Sequence, residues 1–178
     1  MSKRNIILHP DPRLKKLCKP VAEANAKVGT LADEMLETMY AAPGIGLAAP
    51  QIGIDARLLV MDCSAREEDD EDVAQDPRVL INPAVTWSSE ETNVYEEGCL
   101  SIPDIYADVT RPKVVRVSYL DQSGKQQEDE FDGLWATCVQ HEIDHLDGKL
   151  FIDYLSSVKR TMITNKMKKL KKERGRVA

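Results

Sequence analysis

The chain has 178 residues, enough for one domain with a substantial core, and its 42% hydrophobic and 30% charged residues are ordinary for a globular protein. No apolar run approaches the roughly 20 residues of a membrane span. The net charge of −6 is unevenly spread: residues 156–178 carry nine Lys or Arg and one acid, a net +8, whereas residues 1–155 carry 15 basic and 29 acidic residues, a net −14. A basic tail on an acidic body points to a polyanionic partner for the tail. The short apolar run Ile6-Ile7-Leu8 is followed at once by Pro10, Asp11 and Pro12, which fits neither a secretory core nor a transit helix, so a cytoplasmic location is expected. Four cysteines (Cys18, Cys63, Cys99, Cys138) stand far apart without a CxxC, and each reads as a buried thiol or a ligand rather than half of a disulfide.

In chain order, Asp11-Pro12 reads as a helix start, with Asp as N-cap and Pro in the first turn, and Pro20 ends that short helix. A second helix is expected over 24–40, with Val28, Leu31, Met35 and Met39 as its core stripe. Residues 41–53 then hold three glycines and two prolines among small apolar residues, a composition that suits close backbone approach better than regular structure. Gln51 is the only polar side chain between Tyr40 and Asp55, which makes it a candidate hydrogen-bond donor at whatever approaches. Strands are expected over 57–63, 78–87 and 92–96, the second carrying the turn-prone Asn82-Pro83, with an acidic solvated loop at 66–72 between the first two. Residues 113–120 alternate, with Val115, Val117 and Tyr119 on one face, and the turn Asp121-Gln122-Ser123-Gly124 returns the chain through 125–131 as a hairpin. No repeat or domain linker interrupts the chain.

The densest chemistry lies in Cys138-Val139-Gln140-His141-Glu142-Ile143-Asp144-His145, on a helix expected to begin near Asp132-Gly133 and to stop at Gly148. Histidines four apart share a helix face and can reach one ion, while Glu142, turned by about 100°, stands beside that ion as a general base should. A surface helix with two ordinary histidines would show the same local pattern. However, Val139, Ile143 and Leu146 add a second apolar stripe beside Leu134, Cys138, His141 and His145, and a helix apolar on most of its circumference is buried. A catalytic ion needs a third protein ligand. Cys138 is about 10 Å along the axis from His145, too far for its short side chain, and reads instead as pocket lining. Cys99, at a glycine-hinged strand end, is by a small margin the best thiol among Cys99, Cys63 and Cys18, with His9 and many carboxylates also candidates.

Three stretches together, Gly44-Ile45-Gly46-Leu47-Ala48-Ala49-Pro50-Gln51, Glu97-Gly98-Cys99-Leu100-Ser101 and Gln140-His141-Glu142-Ile143-Asp144-His145, resemble the three signature motifs of the bacterial peptide deformylases (type 1) in kind, order and approximate spacing. The likeness extends from Leu8-His9-Pro10 to about Leu155. It implies an α+β fold, with antiparallel β-sheets wrapped around a central HExxH helix, N-terminal helices and a C-terminal helix. It also implies a catalytic deformylase domain over 1–155, with 156–178 a basic C-terminal helix or tail of the same domain. The function implied is metal-dependent removal of the N-formyl group from N-terminal formylmethionine of nascent polypeptides, releasing formate; a HExxH peptidase cutting internal bonds is the alternative. By resemblance Cys99, His141 and His145 hold one divalent ion, Fe²⁺ in the cell with Zn²⁺ or Ni²⁺ able to replace it. Glu142 is then the general base, and the Gln51 amide and Leu100 backbone N–H stabilise the oxyanion. Ile45, Gly46, Leu134, Thr137 and Cys138 meet the formylmethionyl peptide, whose preference beyond methionine is left open by Tyr106, which replaces the basic residue of many relatives. The basic tail is expected to dock on the ribosome, with neither membrane nor DNA as a partner.

Overall fold

The computed structural model describes residues 3–64 and 73–175; the acidic run at 66–72 lies outside the described residues. Among the described residues there are three α-helices and seven strands, and the strands form a five-stranded antiparallel sheet and a separate two-stranded one. Helix α1 spans Ala26–Ala41, and its Asn25 side chain caps it by accepting from the N–H groups of Lys27 and Val28. Strands β1 (Gly46–Ala48), β2 (Leu58–Met61), β3 (Arg78–Ser88), β6 (Val115–Leu120) and β7 (Gln126–Phe131) build the large sheet in the order β1-β2-β3-β6-β7. Strands β4 (Thr92–Cys99) and β5 (Ile102–Pro112) form the small one. Helix α2 runs over Gly133–Leu146 and helix α3 over Ser157–Arg174.

Alternation decides what packs where. Leu59, Met61, Leu80, Val115, Val117 and Phe131 point to one face of the large sheet and bury the apolar stripe of α2, including Val139, Ile143 and Leu146. Leu58, Val60 and Ile81 point to the other face, where Ala32, Met35 and Met39 of α1 cover them. All four β2 residues are therefore buried, and the short strand is apolar throughout rather than alternating. The helix bearing the histidines is central, as its sequence implies: nine of its residues are buried.

Several expectations shift in detail. The helix after Asp11 is a single 3-10 turn, Pro12–Lys15, although Asp11 does cap it by accepting from the Arg13 N–H. Asn82 lies inside β3, as expected, but it breaks the ladder. It adopts φ 51° at a register shift, and its side-chain amide pairs with both the N–H and the carbonyl of Val21, at 2.8 and 2.9 Å. Strand β5 was not foreseen, because its outward residues Asp104, Tyr106 and Asp108 and its two prolines mask the pattern. In α3, Met167 is buried and Ile163 half-buried, while Met162 is 67% exposed.

The two ends of the chain meet over the small sheet. Leu14, Phe151, Ile152 and Met167 share a cluster with Ile102 and Val109. The Ile7 N–H donates to the Gln51 carbonyl at 2.7 Å and the His9 N–H to the Ser101 carbonyl at 2.9 Å. The buried His9 ring holds α3 through Nε2 and the Thr164 hydroxyl, 2.8 Å apart. Burial, reinforced by Lys15 and countered by Asp153, with Lys171 and Lys168 adding to the lowering, pushes the His9 pKa below its ordinary value. Stability contributed by neutral His9 is thus fully present above about pH 6.5 and is lost as pH falls toward the lowered value. Thermal melts between pH 7.5 and 5.5 should show a larger loss of Tm for the parent chain than for His9→Gln. Equal losses would mean that His9 carries none of the pH dependence.

Candidate metal centre and peptide cleft

The donor atoms of Cys99, His141 and His145 all lie within 4.8 Å of one another, with Cys99 Sγ 3.3 Å from His145 Nε2. Two elements bring them together. The two histidines stand on one face of α2 with ring centroids 5.0 Å apart, and Cys99 ends β4 at the shift in its pairing with β5. Tetrahedral coordination with bonds of roughly 2.0–2.3 Å sets ligand atoms about 3.5 Å apart, so the trio fits a small divalent ion with modest contraction. A thiolate with two imidazoles suits the borderline first-row metals.

The histidines are oriented from behind. His141 Nδ1 lies 2.8 Å from Glu97 Oε1, which leaves Nε2 as the nitrogen available to an ion. Glu97 is itself clasped by Arg111, whose Nε donates to Oε2 at 2.7 Å and whose Nη2 donates to Oε1 at 2.9 Å. Arg111 Nη1 donates to Asp144 at 2.8 Å, the Tyr154 hydroxyl donates to the same Asp144 oxygen, and the guanidinium lies 4.8 Å from the Tyr154 ring centre. Burial works against the Glu97 carboxylate, but His141 and Arg111 together hold its pKa below the usual value. For His141 the penalty of burial is outweighed by hydrogen bonds to Cys99 and Glu97, and its pKa rises. His145, buried and facing His141, is driven the other way.

Glu142 lies beside the trio. Burial lifts its pKa to about 7, with His141 opposing the rise, and its Oε2 has no hydrogen-bond partner among the described residues. Opposite it, β1 passes so close that a Cβ on Gly46 would sit 2.9 Å from Cys138 Sγ and against the Glu142 carboxylate. Only glycine permits that approach. Gln51, 1% exposed, is fixed at both ends of its amide: Oε1 accepts from the Ala48 N–H at 2.8 Å, and Nε2 donates to Ser101 Oγ at 3.2 Å and Cys99 Sγ at 3.5 Å.

These groups share a cleft of about 510 Å³. Every site residue implied by the resemblance except His145 lines it: Gln51, Cys99, Leu100, His141 and Glu142, together with Ile45, Gly46, Leu134, Thr137 and Cys138; the other candidate ligands Cys18, Cys63 and His9 do not. His145, 1% exposed, lies beneath the floor. Sequence reasoning assigned no part to Glu97, Arg111, Asp144 or Ser101. Glu97 and Asp144 were inside the quoted motifs, and Arg111 occupies an inward position two residues after buried Val109, a buried charge that asks for a partner.

An HExxH helix with a nearby thiol, a buried acid and a preset amide in an open cleft defines a metal-dependent amide hydrolase. A sequence profile of the polypeptide deformylases matches residues 3–161. The chain is 55% identical over 175 residues to a peptide deformylase of Bartonella tribocorum, covering 98% of this chain and 97% of that one. Its fold superposes on the crystal structure of a peptide deformylase from Legionella pneumophila with a TM-score of 0.86 at 43% identity, covering 98% and 99% of the two chains. For the enzyme from Ehrlichia chaffeensis the TM-score is 0.90 at 39% identity, covering 99% and 100%. The chain belongs to the polypeptide deformylase family, and it is a hydrolase that removes the formyl group from the N-terminal methionine of nascent peptides.

Replacing Glu97 with Gln keeps the shape but weakens the hold on His141 Nδ1. Affinity for the divalent ion should fall by about 10–100-fold, as for other outer partners of a ligating histidine. Competition with a chromogenic chelator measures this, and an unchanged affinity would remove Glu97 from the ion's support.

Proposed function

We propose that Cys99, His141 and His145 hold the catalytic ion, that Glu142 is the general acid–base, and that Gln51 and Leu100 stabilise the oxyanion. The single observation that carries this reading is the convergence of those six residues, from helix α2, the end of strand β4 with the turn after it, and the turn that carries Gln51, with Glu142 Oε2 buried and unpartnered among the described residues. The ion, when bound, supplies Lewis acidity, acidifying water and polarising a carbonyl. Glu142, lifted by burial, can accept a proton from the water that attacks the formyl carbon and return it to the departing amine. Gln51 Nε2 and the Leu100 N–H are the donors assigned to the tetrahedral oxyanion. The fixed Gln51 carbonyl favours this, because it commits the NH₂ end to the Cys99 side. Ile45 and Gly46 pair with the peptide as an added strand, and Leu134, Thr137 and Cys138 form the wall for the methionine side chain. A Cys/His/His donor set accommodates iron, zinc and nickel; the family resemblance is what favours Fe²⁺.

The remaining partner is the ribosome, reached through α3, whose Lys159, Lys166, Lys168, Lys169, Lys171, Lys172 and Arg174 are all exposed. This reading also places the enzyme in the cytoplasm, beside translation. Residues 156–178 would then extend the catalytic unit of 1–155 as its docking arm.

Formate release from formyl-Met-Ala-Ser by the Fe²⁺- and Zn²⁺-loaded enzyme should be lost in Glu142→Ala, and kcat should fall about 10²–10³-fold in Gln51→Ala. Full activity in Glu142→Ala would discard the base assignment. Co-sedimentation with ribosomes should weaken steeply with salt and disappear when Lys168, Lys169, Lys171 and Lys172 are replaced by Glu. Binding unaffected by that reversal would exclude α3 as the arm.

A further inference from the structure

The 3-10 turn Phe151–Tyr154 follows helix α2 closely and packs behind the histidines rather than in the cleft. Asp153 fixes the turn by accepting from the Leu150 N–H at 2.9 Å, and Lys15 pairs with the same carboxylate oxygen. In a 3-10 turn side chains three apart eclipse, so Phe151 and Tyr154 leave it on one side. Phe151, buried, stacks beside His141 with ring centres 6.0 Å apart and planes 25° from parallel. Tyr154 reaches Arg111 instead. Its ring centre is 4.8 Å from the guanidinium carbon, and its hydroxyl donates at 2.8 Å to the Asp144 oxygen that Arg111 Nη1 also holds.

Exposure rises outward along this chain of contacts. The Glu97 and Arg111 side chains are 4% exposed, that of Asp144 is 14% exposed, and Tyr154 is 49% exposed. Tyr154 therefore meets water on behalf of the groups beneath it. Without its ring, water would reach the guanidinium and compete for the N–H groups that grip Glu97, and such bonds are strong only where water is kept out. We propose that Tyr154 is a positioning residue for the catalytic ion, acting through Arg111 and Glu97 on His141. The ring shields the guanidinium, and the hydroxyl shares the Asp144 carboxylate with it, so both prongs of Arg111 stay on Glu97. Glu97 in turn stays on His141 Nδ1, which presets Nε2 for the ion. The inference rests on the reading of Cys99, His141 and His145 as ligands. Its consequence is retention of the ion, at a residue that is remote from the peptide.

The test measures Zn²⁺ affinity by competition with a chromogenic chelator, and the rate of Zn²⁺ loss to excess EDTA. Tyr154→Phe keeps the aromatic face over Arg111 and should stay within about threefold of the parent chain in both. Tyr154→Leu loses face and hydroxyl together. It should bind Zn²⁺ about tenfold more weakly and release it faster, the low end of what the outer partners of a ligating histidine contribute. The deciding arm places Tyr154→Leu in a Glu97→Gln background. A residue that acts through Glu97 adds less than about twofold there, whereas one that only packs the turn repeats its full effect. Parent-like affinity in Tyr154→Leu, or the same fall in both backgrounds, would overturn the proposal. Zn²⁺ binding undiminished in the paired variant Cys99→Ala with His141→Ala would overturn instead the ligand reading on which it rests.

Discussion

The buried chain His141–Glu97–Arg111–Asp144 is the constraint from which the rest of the site follows. Glu97 comes from β4, Arg111 from β5, and both His141 and Asp144 from α2, so one set of charge-assisted bonds fastens the small sheet to the central helix. Removing two charged groups from water costs several kcal/mol each, and only completed geometry offsets it. Arg111 completes it with a two-pronged bond to Glu97, a bond to Asp144 and the face of Tyr154. Because the network is satisfied only in one arrangement, it sets the distance from Cys99 to the two histidines. It also fixes which nitrogen of His141 is free.

The large sheet does a different job. With α1 on one face and α2 on the other, it is an apolar layer that holds the helix rigid while contributing little polar chemistry. The exception is its edge. Strand β1 has three residues and passes immediately into the 3-10 turn Ala49–Ile52, which carries Gln51. That edge leaves Gly46 against Glu142 and Cys138, so one side of the cleft is backbone and the other is side chain.

How legible this was in the sequence depended on whether the signal was local. The α2 helix was readable almost to the residue, because two apolar stripes and a terminal glycine are all within one segment, and Gly148 indeed takes φ 74°. Gln51 stood out because it was the lone polar side chain in an apolar stretch. Cys99 could not be separated from other thiols by spacing, since its meeting with His145 is made across 46 residues by the fold. Arg111 was invisible for the same reason: an arginine at a strand end looks solvated until Glu97 and Asp144 are placed around it. Strand β5 was missed because its outward face is charged and aromatic, the very face that borders the cleft.

The clasp of Ile7 on Gln51 and His9 on Ser101, with Thr164 behind His9, bears on the order in which the molecule can assemble. Helix α2 and its sheet can collapse from contacts within the middle of the chain. The side of the cleft that carries Gln51 and Ser101, in contrast, is tied down by Ile7 and His9, which are in turn pinned by α3. Loop-closure entropy makes such a contact between distant segments late and slow to form. By that entropy the apolar scaffold, built from contacts within the middle of the chain, is cheaper to close than the clasp over Gln51 and Ser101.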